Sequence, residues 1–245
     1  MARRFIVNEE DITNIDLKNS IFEIKSKEVK HIQVLRHNVG DKIIINKYIC
    51  EIIKMTKDSV VLKKIDIAPI KAIPNINLNM YIAILKSDKL DYVVQKAVEL
   101  GAKNIIPFIS NNVIVKLDEK SKIKRVDKLQ KIADEACKQC GRTDSVSVQN
   151  IILLKDIIDR KEKNEILIFA YENEKAPLKE KMKKIKEEKC NNISIVIGPE
   201  GGFSNEEANK LTKCKNVFTV SLGSRILRAE TAALNLISIV MYELD

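Results

Sequence analysis

The sequence predicts an α/β protein in which a small β-rich module precedes a larger domain built on a mostly parallel sheet. Short β-rich runs separated by turn or charged residues occupy the chain up to about residue 70. From about residue 76, strand-like and helix-like runs alternate, which is typical of an open α/β sheet with helices on both faces. Pro69 and Pro74 lie between the two regions and disfavour both helix and central strand. We therefore expect two domains, at 1–70 and 76–245, joined by a linker over 68–75.

The N-terminal module is expected to contain one short helix among its strands. Its β-rich runs lie at 43–45, 48–53 and 59–65. A helix is predicted over 26–34, because Ser26 is suited to cap it and an apolar stripe follows. This pattern indicates a small β-barrel, closed or nearly so.

The second domain is expected to alternate strands with helices. Strands are predicted at 78–85, 104–109, 165–171, 193–197 and 217–220. Helices are predicted from Ser87 or Asp88 to Gly101, over 120–140, from the capping-box pair Ser204 and Glu207 onward, and over 229–244. Two of the strand runs, 165–171 and 193–197, are nearly continuous in apolar residues, as buried parallel strands are. The dense charge run at 179–189 is interpreted as a solvated helix face.

The composition gives one weak and one stronger indication of function. The chain has 245 residues, 43 of them lysine or arginine and 34 acidic, for a formal net charge of +9. A basic protein can bind nucleic acid, but 35 lysines against 8 arginines is a skew typical of compositional bias, so the charge favours that partner only modestly. The glycines are more informative, because four of the seven lie between residues 198 and 223. Glycine is expected where the backbone turns sharply or approaches a ligand closely.

Membrane, secreted and metal-binding classes are disfavoured. No apolar run is long enough for a membrane span and the first residues lack a signal-peptide core, so we expect a soluble cytoplasmic protein. Five cysteines, an odd number, are expected to be reduced. Cys137 and Cys140 match C-x-x-C, but no second pair accompanies them and His31 and His37 are the only histidines. We interpret the two cysteines as helix residues and expect no metal site.

Two predicted strands end in unusual loops, and ligands of open α/β sheets bind beyond the carboxyl ends of strands. The first loop reads Gly-Pro-Glu-Gly-Gly-Phe-Ser from Gly198 to Ser204 and leads into the capped helix. It matches neither the dinucleotide fingerprint nor the P-loop. Because three of its residues lack side chains, its backbone groups can face a ligand directly.

The second loop, 221–231, combines cationic and apolar residues beside a helix start. Arg225 and Arg228 together with the helix N-terminus favour an anion. Glu230 falls in the first helical turn, where it either caps the helix or takes part in chemistry. Apolar walls for a flat group such as an adenine ring are offered by Leu222, Ile226 and Leu227.

Together, these loops resemble those of the RsmE family, SPOUT-superfamily methyltransferases that methylate N3 of a uridine in 16S ribosomal RNA. The matching motifs are Gly-Pro-Glu-Gly-Gly from Gly198 and Leu-Gly-x-Arg-Ile-Leu-Arg-x-Glu-Thr from Leu222. Gln-Lys-Ala-Val-Glu-Leu-Gly from Gln95, Glu-Ala-Cys-Lys-Gln-Cys-Gly-Arg from Glu135 and His-Ile-x-x-Val-Leu-Arg near His31 extend the resemblance over nearly the whole chain. The sequence departs from the family pattern at Ser224, where we expect proline, and at Ala229, where we expect threonine.

The resemblance implies a deep trefoil knot in the second domain, a PUA-like N-terminal barrel, a homodimer and S-adenosylmethionine as cofactor. The partner it implies is 16S rRNA or the small ribosomal subunit. The cofactor would be held by Ile197, Gly198, Pro199, Glu200, Gly201, Gly202, Ser221, Leu222, Gly223, Ile226 and Leu227. RNA would be bound by Arg3, Arg4, His31, Arg36, Arg142 and Arg225. Arg228 is the candidate for stabilising the uracil anion or binding an adjacent phosphate, and Glu230 is the candidate base or orienting group.

Other functions remain to be weighed. A Rossmann-type enzyme is excluded, because the first strand of the second domain leads into Lys86-Ser87-Asp88-Lys89, without the glycine-rich turn. A SPOUT methyltransferase with another RNA target, and a non-catalytic RNA-binding protein of the same fold, stay open as alternatives.

Overall fold

The computed structural model describes residues 3–7, 9–68, 73–113 and 117–245. The chain divides into two compact units, one comprising Met1–Ala72 with Gly141–Thr143 and the other comprising Ile73–Cys140 with Asp144–Asp245. The predicted linker lies partly outside the described residues, because 69–72 are not among them.

The first unit contains a six-stranded sheet and one α-helix. Its strands are β1 (Arg4–Phe5), β2 (Ile12–Asp16), β3 (Ile21–Ile24), β4 (Lys42–Ile45), β5 (Tyr48–Met55) and β6 (Val60–Ile67), in the order β1-β4-β5-β6-β3-β2. Only the pair β1–β4 is parallel among the described pairings. Helix α1 (Lys27–Val34) begins as predicted, since the Ser26 side chain accepts a hydrogen bond from the Glu28 amide at 3.2 Å. Phe5, Phe22 and Ile32 lie in the core of this unit.

The second unit is built on a seven-stranded sheet whose described pairings are all parallel. Its strands are β7 (Asn77–Ala83), β8 (Asn104–Ile109), β9 (Ser147–Val148), β10 (Ile152–Leu153), β11 (Ile166–Ala170), β12 (Asn192–Ile197) and β13 (Val217–Val220). The order is β10-β8-β7-β12-β11-β13, with β9 beside β8. The predicted α/β class with a mostly parallel sheet is therefore confirmed.

Helices cover both faces of this sheet, as predicted. They are α2 (Lys89–Glu99), α3 (Glu119–Cys140), α4 (Lys155–Arg160), α5 (Leu178–Glu187), α6 (Asn205–Thr212) and α7 (Ala229–Leu244). Met80 and Ile82 pack in one core with α2, α3, α5 and α7, whereas Tyr81 and Ala83 pack in another with α4 and α6. This alternation follows from the two-residue period of a strand. In the described residues, no helix is long and apolar enough to cross a membrane.

The helix ends follow local sequence, with one exception. Ser204 and Glu207 form the predicted capping box, and the C-x-x-C cysteines lie on α3. Asp88 occupies the N-cap position of α2, but its side chain makes no capping hydrogen bond, so that part of the prediction is wrong. Its backbone is αR-like rather than extended, and Ser87 before it has a positive φ of 53°.

A line of polar side chains crosses three strands of the parallel sheet and ends just before a fourth. The Asn104 amide donates to the Asn79 side chain at 2.8 Å, and the Asn79 amide donates to the Ser194 hydroxyl at 3.2 Å. Ser194 donates in turn to Glu165, which is buried just before β11. Each polar group in this line thereby finds a partner inside the protein.

Candidate active site

The candidate site is a cavity of about 780 Å³ at the carboxyl ends of β11, β12 and β13. Residues 197–203 after β12 and 221–229 after β13 form most of its wall. Ala170, Tyr171 and Glu172 at the end of β11 complete it, together with Lys89 at the start of α2 and Ala232 on α7. This location is where open α/β sheets bind ligands.

The glycine loop after β12 is a tight turn in which two of the glycines leave no room for a side chain. The Gly202 amide donates to the Pro199 carbonyl at 3.0 Å, and Gly202 has a φ of +67°. A β-carbon at Gly202 would collide with the Glu172 carboxylate, and one at Gly198 would lie 2.5 Å from the Phe203 ring. Gly198 is therefore required by the packing around it, and Gly202 by the positive φ of the turn.

A neighbouring loop holds the glycine loop in place. The Asn112 side-chain amide, after β8, donates to the carbonyls of Gly201 at 3.1 Å and Gly202 at 3.2 Å. The backbone amide of Asn111 donates to Glu207 of the capping box at 2.8 Å. The shape of the glycine loop thus depends on a segment about 90 residues earlier in the chain.

The loop after β13 is fixed at its start and open at its tip. The Ser221 amide donates to the Ala176 carbonyl at 2.9 Å, while Gly223 has a φ of +119° and open space where a β-carbon would lie. Ile226 is 90% exposed, although it lines the cavity. Arg225 and Arg228 are also exposed, and neither forms an ion pair with another described residue. The tip therefore offers apolar surface and two exposed cations.

Three charged side chains meet beside the cavity. Lys89 Nζ lies 3.3 Å from Glu200 Oε1 and 3.9 Å from Glu230 Oε2. Burial would raise the pKa of Glu200, but hydrogen bonds from backbone amides, including that of Lys86, and from Lys89 hold it below its ordinary value. Glu230 Oε2 is buried and has no hydrogen-bond partner among the described residues.

The structure brings together most of the residues predicted for the site. All eleven residues expected to bind the cofactor line the cavity, and so do Arg225 and Arg228. Glu230 is in the first turn of α7, as predicted, but it is not among the residues that line the cavity.

The remaining predicted RNA-binding residues belong to the first unit. Arg3 and Arg36 are exposed, and the His31 ring lies 3.1 Å from Glu28 Oε2. The Arg4 guanidinium donates to the carbonyls of Gly141 and Arg142, and the Arg142 side chain is buried.

Sequence reasoning missed Lys89, Tyr171 and Glu172. The sequence pattern marks Tyr171 only as the end of a strand. The strand order, in which β11 lies between β12 and β13, has no local sequence signal. Had that order been known, the rule that ligands bind at strand ends would have pointed to Tyr171 and Glu172. In the sequence, Lys89 stands out only as the last residue of the 86–89 segment, which lacks a glycine-rich turn.

Comparison with known proteins identifies the family. The family model for the RNA methyltransferase domain matches residues 72–241. The chain belongs to this family. Its methyltransferase domain therefore covers the parallel sheet and the whole candidate site.

Individual relatives agree with this assignment. Ribosomal RNA small subunit methyltransferase E of Rickettsia conorii is 37% identical over 114 residues, 46% of this chain and 45% of that protein. The Bacillus subtilis protein of the same name is 34% identical over 136 residues, 54% of this chain and 52% of the relative. The aligned part thus spans about half the length of these curated relatives. The resemblance to this family, drawn from the two loops, is confirmed.

Solved structures of similar proteins match almost the whole chain. Ribosomal RNA small subunit methyltransferase E from Neisseria gonorrhoeae, solved bound to S-adenosyl methionine, has a TM-score of 0.83 and 26% identity. That match covers 98% of this chain and 97% of the other chain. A crystal structure of a hypothetical protein matches with a TM-score of 0.84 and 30% identity, over 99% of both chains.

Proposed function

We propose that this protein transfers a methyl group from S-adenosylmethionine to N3 of a uridine in 16S rRNA of the small ribosomal subunit. The observation that carries the proposal is the cavity formed by both motif loops at the carboxyl ends of parallel strands. The names of the relatives, and the cofactor bound to the Neisseria protein, support the same reaction.

The residues of the cavity fit this cofactor. Gly198, Gly201 and Gly202 leave the backbone bare on one wall, and the space beside Gly223 is open. Leu222, Ile226 and Leu227 give apolar surface for an adenine ring, and the backbone groups of both loops can hydrogen-bond to its polar edges. When bound, S-adenosylmethionine supplies an electrophilic methyl group carried on a sulfonium.

The chain's own residues must bind the RNA and manage one proton. Uracil N3 carries a proton at neutral pH, so the site must accept that proton or stabilise the anion left behind. We assign Arg228, exposed at the cavity and without an ion pair to any residue that the structure describes, to stabilising the uracil anion or to binding the adjacent phosphate. Arg225 next to it would bind the RNA backbone. Of the two roles predicted for Glu230, general base or orienting group, its contact with Lys89 favours the orienting role.

The rest of the arrangement follows the family resemblance. We propose that residues 1–70 form a PUA-like module that holds RNA through Arg3, Arg4, His31, Arg36 and Arg142. Residues 76–245 would form the catalytic domain, with a deep trefoil knot, and act as a homodimer in the cytoplasm, where ribosomes are assembled. The strand order is non-sequential, with β12 between β7 and β11, and is compatible with such a knot.

The experiment is a methyl-transfer assay with the purified protein. Unmodified 16S rRNA and small subunits lacking the modification are incubated with S-adenosylmethionine, and nucleosides are separated by mass spectrometry. We expect 3-methyluridine with wild type and a loss of at least about 10²-fold for Arg228→Ala. Arg160→Ala, on helix α4 and outside the cavity, is the matched control.

The same assay separates the alternatives. Methylation of another RNA but not of 16S rRNA would redirect the substrate assignment. RNA binding without S-adenosylmethionine binding in isothermal titration would favour the non-catalytic protein.

A further inference from the structure

Among the described residues, Lys89 is the one cavity-lining cation within 4 Å of two carboxylates. Glu200 comes from the glycine loop and Glu230 from the first turn of α7, so the two anions belong to different elements. A lysine side chain is long and flexible, and two nearby opposite charges restrict where its ammonium lies. Its charge is thus positioned before any ligand binds.

Glu230 lies near this ammonium but does not line the cavity. Its Oε2 is buried, has no hydrogen bond within the described part of the chain, and lies 3.9 Å from Lys89 Nζ. A general base must come within hydrogen-bond reach of the proton that it removes. The observed position suits a group that orients Lys89 better than one that touches a nucleobase.

We propose that Lys89 is a catalytic cation for the target nucleobase and that Glu230 is a positioning residue that acts through it. The inference rests on the proposed methylation of uracil N3. The N3 proton leaves to water, and its electron pair stays on N3, with negative charge shared by the carbonyl oxygens on C2 and C4. That pair forms the bond to the methyl carbon, while the bond from this carbon to the donor sulfur breaks with its electrons on sulfur.

Preorganisation distinguishes Lys89 from the arginines of the same cavity. Arg225 and Arg228 are exposed and have no ion-pair partner among the described residues, so they must be ordered when RNA binds. A cation already held in place costs no reorganisation when charge develops in the reaction. Lys89 therefore lessens the repulsion that Glu200 and Glu230 would exert on the developing negative charge, and the arginines suit the RNA phosphates.

The test compares Lys89→Met, Lys89→Arg and Glu230→Gln under single-turnover conditions with 16S rRNA and saturating cofactor. We expect Lys89→Met to slow methyl transfer by about 10²-fold, and Lys89→Arg to recover part of that loss because it keeps the charge. If Glu230 acts through Lys89, adding Glu230→Gln to Lys89→Met causes little further loss. A full additional loss in the double variant would instead identify Glu230 as an independent base and overturn its positioning role.

A more acidic substrate separates stabilisation of the anion from a structural effect. Uracil with fluorine at C5 loses its N3 proton more readily, so the defect of Lys89→Met should shrink on 16S rRNA transcribed with 5-fluorouridine. A defect of equal size on both RNAs would overturn the assignment of Lys89 as the anion-stabilising cation. Lys96→Met is the matched control, since Lys96 lies on the same helix, pairs with Glu99 and is 33% exposed, against 35% for Lys89.

Two readouts separate this inference from the proposed function. The ¹³C titration of the Glu200 carboxyl should move to higher pH in Lys89→Met, whether or not the protein methylates RNA, because a neighbouring cation is removed. If wild type transfers methyl groups and Lys89→Met is as fast, the inference fails and the proposed function stands. If wild type neither binds S-adenosylmethionine nor methylates any RNA, both fail.

Discussion

The α-carbon of Gly198 packs so closely on the ring of Phe203 that a β-carbon there would lie 2.5 Å from the nearest ring atom. The ring cannot easily move away, because Phe108 and Phe169 contact it at centroid distances of 6.4 and 4.8 Å. One aromatic cluster in the core therefore dictates the residue that opens the glycine loop.

Gly198→Ala should consequently destabilise the protein. Overpacking of a filled core costs about 1–3 kcal/mol, and the displaced loop should also bind S-adenosylmethionine more weakly. Urea unfolding and isothermal titration measure the two effects. Adding Phe203→Leu should restore part of the cofactor affinity by making room, and unchanged stability of Gly198→Ala alone would contradict the close packing.

Asn112→Asp should loosen the glycine loop without touching the cavity wall. The substitution removes the amide that donates to the Gly201 and Gly202 carbonyls and brings a negative charge towards them. A loss of about 1.4 kcal/mol, the scale of one or two hydrogen bonds, would weaken cofactor binding about tenfold. Titration calorimetry measures the affinity for S-adenosylmethionine, and Asn209→Asp, at an exposed position on α6, is the control. Equal affinities of the two variants would show that the Asn112 side chain does not hold the glycine loop in its binding shape.

Ser204→Ala should lower the free energy of unfolding by about 0.5–2 kcal/mol, because the N-cap of α6 is lost. Ser204→Asp keeps an oxygen acceptor at the same position and should retain most of the stability. Denaturant unfolding of the three proteins gives the result. Equal losses of unfolding free energy in Ser204→Ala and Ser204→Asp would contradict the N-cap role, because aspartate also supplies a capping oxygen.

Glu200 should make stability depend on acid pH. Its pKa is lowered in the folded protein, so the stabilisation is present above the unfolded pKa of about 4.3 and is lost as pH falls through the lower folded value. The difference in Tm between wild type and Glu200→Gln should therefore favour wild type at pH 6 and diminish towards pH 3. A difference that is constant across this range would rule out a role for the Glu200 charge.

Local signals were sufficient for elements that depend on nearby residues. The start of α6 follows from Ser204 and Glu207, three positions apart, and β13 and α7 begin and end where their apolar patterns do. The motif loops likewise follow from the sequence itself, because they contain four of its seven glycines.

The rest depends on contacts that no local pattern encodes. Glu172 reaches the cavity only because β11 pairs with both β12 and β13, and Lys89 meets Glu200 from 111 residues away. The N-cap prediction at Asp88 failed for a related reason. The backbone there is bent by Ser87 at positive φ, and the segment is tied to Glu200 through the Lys86 amide.

The polar line from Asn104 through Asn79 and Ser194 to Glu165 favours one register of these strands, and that register sets where the loops at their carboxyl ends lie. These side chains match only when β8, β7 and β12 are in their observed register. A slip of one residue in β12 would turn Ser194 to the other face and carry Gly198 along the strand by about 3.3 Å. A wrong register would therefore break the polar contacts at one end of the strands and misplace the ligand-binding loops at the other end.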